Sequence, residues 1–194
     1  MLIASMRTVL MVVGLSLSVP LLAGPYDVTD PQLPRQLPDS GPVQVAWTDP
    51  AEFSDIRSSG NRWEARRGDW VRQLAVYLRS RASRQLADGE RLEVTITDIQ
   101  RAGRYEPWLG SAVGDVRIVR TMYPPWIELD FILRDAQGTV LSEGHRRLTD
   151  LAFLHRNAGR ISSSDPLRHE KRLLNDWVRR EFGPMRMRTT AAGD

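Results

Sequence analysis

Apolar and polar residues alternate in three stretches with the two-residue period of a half-buried strand. They are Val43, Val45 and Trp47; Leu92, Val94 and Ile96; and Ile127, Leu129, Phe131 and Leu133. The last run leads through Asp135–Gly138, a four-residue turn, into residues 139–148, which predicts a hairpin. A shorter strand is expected within Asp115–Arg120, before the break at Tyr123-Pro124-Pro125.

Two stretches follow the helical period instead. Val71, Leu74, Leu78 and Ala82 recur at three- and four-residue steps and predict a helix from Asp69 to Leu86, with a start as early as Asn61 left open. Asp88-Gly89 stops it. Near the end, Leu167, Leu174, Trp177, Val178 and Phe182 form a second apolar stripe. Asp165 is expected to cap that helix, Pro166 to occupy its first turn and Gly183-Pro184 to close it, while Arg172, Asp176 and Arg180 fall on the side read as outer. Between the first strand and the first long helix, Asp49-Pro50-Ala51-Glu52 reads as a capped helical turn that points Phe53 inward. A strand, a helix and a strand in that order place the two strands parallel. The expected fold is α+β, a four- or five-stranded antiparallel or mixed sheet with two helices packed on one face.

The ends of the chain read differently. Arg7 precedes a short apolar run broken by Gly14 and Pro20 that ends at Ala23-Gly24, the three-part pattern of a cleaved export signal over residues 1–23. Residues 24–42 carry Pro25, Pro31, Pro34, Pro38 and Pro42 and are expected to form an extended, poorly ordered linker. Residues 184–194 lack an apolar period and read as a flexible tail. One domain, residues 43–183, remains, and the expected location is the periplasm.

Composition narrows the chemistry. The chain has no cysteine, which removes disulfides and thiolate–metal sites. Its net charge of +3 is too small for a general nucleic-acid binder, and after signal removal no stable membrane span is expected. Of the 27 basic residues only Lys171 is a lysine. Guanidinium groups suit bidentate recognition of carboxylate or phosphate, but a nucleotide bias in the source genome gives the same preference.

Several segments together resemble a bacterial family known as domain of unknown function 3016. These are VAWTDP from Val45, FSDI from Phe53, TDI from Thr97, DVRIVRTMYPPWIELDF from Asp115 and RHEKRLLNDW from Arg168. They keep their order over most of the folded part. The resemblance implies an exported bacterial protein and brings no activity, cofactor or catalytic residue with it.

Catalytic signatures are absent from the sequence. His145, His155 and His169 lack the spacing of a helical metal site, and no nucleophile stands in a motif with a base. No cofactor, metal ligand or catalytic residue is assigned. The acid pairs Asp98 with Glu106 and Glu128 with Asp130 keep open an alternative, a carboxylate-dependent hydrolase of envelope polymers. The favoured surface is the long connection from Arg101 to Gly114 and its flanks. There Tyr105, Glu106, Trp108, Arg117 and Arg120, with Asp115 and Tyr123 beside them, combine aromatic planes with guanidinium groups and an acid. The function expected is that of a non-catalytic binding module for a partner protein or an anionic envelope polymer or lipid. A bland alternative has Trp108 covering the sheet edge and Arg117 paired to a neighbouring acid. The sequence leaves the oligomeric state open.

Overall fold

The alternating runs form one four-stranded sheet in the order β1, β2, β5, β6: β1 is Val43–Trp47, β2 Arg91–Gln100, β5 Trp126–Arg134 and β6 Val140–Thr149. The computed structural model describes residues 26–110, 114–155 and 161–183, so the segments read as export signal and tail lie outside the described residues. β1 and β2 are parallel, in register from Val43 with Leu92 to Trp47 with Ile96, as the intervening helix requires. β2 with β5 and β5 with β6 are antiparallel. The sheet is therefore mixed and the fold α+β.

One sheet face is apolar and the other wet. Val43, Val45, Leu92, Val94, Ile96, Leu129, Phe131 and Leu133 are buried beneath two helices, α3 (Trp70–Ala82) and α4 (Arg168–Phe182). Leu74 and Leu78 from α3 meet Leu174, Trp177 and Phe182 from α4 in the same core. Phe131, Trp177 and Phe182 pack edge to face with centroids 5.2 to 5.8 Å apart, a geometry that adds to the apolar burial. The wet face carries Glu128, Asp130, His145 and Arg147, paired across the strands as Glu128–Arg147 and Asp130–His145.

Local signals explain the connections. Asp49 Oδ1 accepts from Ala51 N at 2.9 Å and Pro50 opens a 3-10 turn that delivers Phe53 to the core. The helix expected from as early as Asn61 is interrupted. Asn61 caps a separate α2 (Arg62–Arg66), and extended Arg67 followed by Gly68 at φ +90° breaks the chain before α3. At the far end α4 begins later than Asp165-Pro166 implies: Leu167 is its N-cap, and Asp165 Oδ1 accepts from Leu167 N at 2.8 Å in the turn ahead of the helix. Asp135 accepts from Gln137 N and Thr139 N and so holds the β5–β6 turn.

Two expectations are corrected. The stretch read as an extended, poorly ordered linker is tied to the domain at two points: Val28 and Leu37 join the core, Leu37 N donates to Val45 O at 2.9 Å and Trp47 N to Arg35 O at 2.8 Å. Its prolines shorten the pairing to isolated bridges but do not offset the burial of two apolar side chains. Arg172, read on the outer face of the last helix, is buried. Residues 150–153 fold over it, Phe153 O accepts from Nη2 at 2.6 Å, and Asp150 pairs with it at 3.3 Å.

Candidate functional site

The long connection folds into a second, two-stranded sheet, β3 (Arg104–Tyr105) and β4 (Arg117–Ile118), which pair as Arg104 with Ile118 and Tyr105 with Arg117. Gly103 makes the close approach possible, since a Cβ there would lie 2.6 Å from Ile118 O. Gly60 does the same beneath β3, where a Cβ would lie 2.6 Å from Tyr105 O. The hairpin is therefore seated on the α1–α2 connection, α1 being Ser54–Arg57.

Its base is built around one carboxylate. A bulge in β2 between Ile96 and Asp98 turns Asp98 toward α1, where its oxygens accept from Ser54 N and Ser54 Oγ, both at 2.7 Å. That contact sets the first turn of α1 and directs the next residue, Asp55, inward to 1% exposure. Asp55 accepts from Arg101 N at 3.0 Å, Arg101 Nε at 2.9 Å and Nη2 at 2.7 Å, and from Arg117 Nη1 at 3.0 Å and Nη2 at 2.8 Å. Arg101 stacks on Trp70 at 4.1 Å and Arg117 on Tyr105 at 4.8 Å. Burial works against the charge of Arg117, and Asp55 outweighs it, so the guanidinium is held above its ordinary value.

Two further buried acids adjoin this base. Glu106 accepts from Arg120 Nη2 at 2.8 Å and Tyr123 Oη at 2.7 Å, and the bond to Glu106 holds the Tyr123 phenol above its usual range. Glu170, on the first turn of α4, is 1% exposed; its Oε1 accepts from Ala102 N at 2.6 Å, and Oε2 has no hydrogen-bond partner among the described residues. Burial pushes the Glu170 carboxyl up. Next to it, His169 lies edge-on to Phe153 with neither ring nitrogen hydrogen-bonded among the described residues, and burial, with Arg168 and Arg172 nearby, lowers it to about 4.

The tip is different. Pro107–Leu109 forms a 3-10 turn on which Trp108 is 67% exposed, with Leu109 and Val116 also open to solvent. Trp63 of α2 and Met122 are exposed as well. Asn61 Nδ2 donates to Asp115 Oδ1 at 2.8 Å and to Gly114 O at 3.3 Å, tying α2 to the returning arm of the hairpin. Arg62 donates to Arg57 O at 3.3 Å, Arg104 donates to Ser58 O at 3.4 Å and lies over the Tyr123 ring at 5.8 Å, and neither forms an ion pair among the described residues.

Of the five residues singled out in the sequence, Tyr105, Glu106 and Arg117 are spent inside the base, and Trp108 and Arg120 reach solvent. Arg117 pairs with an acid, as its bland reading had it, whereas Trp108 does not cover the sheet. Sequence reasoning missed Asp55, Arg101 and Glu170. Asp55 and Glu170 fall within the FSDI and RHEKRLLNDW segments, but an acid in the first turn of a helix looks like any surface acid. The acids considered for hydrolysis are engaged too: Asp98 by Ser54, Glu106 by Arg120 and Tyr123, Glu128 by Arg147 and Asp130 by His145. Among the described residues no three His, Asp or Glu side chains are grouped to hold a metal ion.

No curated protein and no solved structure matches the chain. Residues 41–180, which include both sheets and nearly all of α4, match the family described as "Protein of unknown function (DUF3016)", and the chain belongs to that family.

Proposed function

We propose that this protein is a non-catalytic binding module of the bacterial cell envelope, exported by residues 1–23, that engages an anionic envelope component through the tip of the β3–β4 hairpin. The observation that carries the reading is Trp108, exposed at the end of a hairpin whose base is fixed by a buried double ion pair. A folded chain gains nothing internally from holding an indole in water, and a fixed base removes the ordering cost that a loose loop incurs on binding. Arg62, Arg104 and the half-exposed Arg120 lie on the elements that flank the tip and supply donors for phosphate or carboxylate. Binding is favoured over hydrolysis because each acid considered for acid–base work already serves a structural partner.

Protein recovered from cells making the full-length precursor is sedimented with phosphatidylglycerol vesicles, neutral phosphatidylcholine vesicles and isolated anionic cell-wall glycan. The reading expects one anionic target to be bound and the neutral vesicles to be ignored. Trp108→Ala combined with Arg104→Ala weakens that binding about tenfold or more, as loss of one aromatic anchor and one charge-assisted contact implies. Binding that survives both substitutions, or that does not distinguish anionic from neutral targets, sinks the proposal.

A further inference from the structure

The main sheet has two edges, and among the described residues only one is covered. Unpaired backbone donors and acceptors along an edge recruit another strand unless something blocks them. At β1 the segment 35–37 supplies the block through its bonds to Val45 and Trp47. β6 has ten residues, and its side away from β5 meets no backbone partner among the described residues. Length alone does not name an occupant; the charges along β6 do.

Glu143, His145 and Arg147 share the wet face, since their neighbours on β5 are Ile132, Asp130 and Glu128. Arg147 is held by Glu128 at 2.5 Å and His145 by Asp130 at 2.9 Å. Glu143 has no ion pair or hydrogen bond among the described residues. A strand that opposes β6 and places a guanidinium against Glu143 would complete the row.

β6 is itself such a strand. In an antiparallel ladder backbone groups point outward at every second residue, so two copies of one strand can pair only when opposed positions have the same parity, with the axis on a residue. An axis at Gly144 opposes Glu143 to His145, and an axis at Arg146 opposes it to Thr149. An axis at His145 opposes Glu143 to Arg147 of the second copy, twice by symmetry, and sets Gly144, which has no side chain to collide, opposite Arg146.

We infer that β6 pairs antiparallel with β6 of a second copy about a two-fold axis at His145, joining the two four-stranded sheets into a continuous one. Each Arg147 then lies between its own Glu128 and Glu143 of the other copy. His145 O already accepts from Arg146 Nη1 at 3.0 Å, and a carbonyl oxygen has room for the second donor that the ladder brings. This inference does not rest on the hairpin or on its ligand.

The chain has no cysteine, so single-cysteine variants report the register directly. In protein made from the full-length precursor, His145→Cys places two thiols across the axis, whereas Ser142→Cys leaves them about 20 Å apart along the strands. Mild oxidation is expected to give a covalent dimer with His145→Cys and little with Ser142→Cys. In sedimentation equilibrium Glu143→Arg weakens the dimer about tenfold by setting like charges opposite each other, and adding Arg147→Glu to that variant restores association. Circular dichroism on each variant separates lost pairing from lost folding, and the restoration is a readout that simple destabilisation would not give. A protein that sediments as a monomer at every concentration, or two thiol positions that cross-link equally, overturns the inference, including the case in which the edge takes a foreign strand instead.

Discussion

The β3–β4 hairpin has a base and a tip that use the same residue types to opposite ends. At the base, Tyr105, Arg101 and Arg117 are packed around Asp55, so their aromatic planes and guanidinium groups are consumed in holding the chain. At the tip, Trp108 stays in water, and on the flanking elements Arg62 and Arg104 form no ion pair among the described residues. An aromatic–arginine cluster in a sequence therefore says little until it is known which members are buried with an acid. The comparison also assigns separate energetic roles: substitutions at the base should change stability, and substitutions at the tip should change binding alone.

The largest effect is expected from Asp55→Ala. It leaves two nearly buried guanidinium groups facing each other without their common counter-charge, and breaking a buried pair by removing one partner costs about 3–5 kcal/mol. Asp55→Asn keeps one acceptor oxygen for Arg101 N and should cost less. Urea denaturation midpoints measure both. A loss below about 1 kcal/mol for Asp55→Ala would remove the distinction between base and tip.

Behind the base, His169 and Glu170 are adjacent in sequence and opposite in their response to pH. Burial lowers His169 from 6.5 to about 4, so the unfolded chain takes up this proton first. The stability that the neutral ring contributes is complete above pH 6.5 and is lost as pH falls toward 4, in total about 3 kcal/mol. His169→Leu should flatten that acid limb in melts recorded across the same range. Glu170 has the other sign. Burial raises its carboxyl above 4.5, so the folded protein keeps this proton to higher pH than the unfolded chain, and stability falls as pH rises through that window. Glu170→Gln should remove the decline, a gain of about 1.4 kcal/mol for each pH unit inside the window. Parallel pH–stability curves for Glu170→Gln and the parent would show that the acid is not desolvated as the base requires.

The sheet and both long helices were legible because period and turn residues point the same way: Leu92, Val94 and Ile96 alternate, Leu74, Leu78, Leu174 and Val178 recur at helical steps, and Asp135 holds its own turn. The segment 26–42 was misread because proline spacing reports missing donors but not the two apolar side chains, Val28 and Leu37, that find the core. Arg172 was misread for a related reason. Helical spacing places a residue on a side of its own helix, and only tertiary structure brings residues 150–153 across that side. Asp55 and Glu170 were invisible because long-range contacts, from Arg117 and from Ala102, bury them, and neither residue type announces burial. At the site, exposure separated Trp108 from Tyr105, although both are aromatic residues in one loop.

The smallest effect on stability belongs to Trp108→Ala, and it tests the tip most directly. The indole covers no core residue, so its removal should change the unfolding free energy by less than about 0.5 kcal/mol. If the tip is a binding surface, the same substitution weakens the anionic target several-fold while the melt and the base ion pairs stay as they were. Tyr105→Ala is the matched control: it removes a buried ring from beneath Arg117 and should cost about 2 kcal/mol or more of stability. Should Trp108→Ala destabilise as much as Tyr105→Ala, the exposed ring would be part of the hairpin's own packing, and base and tip would no longer be separate working parts.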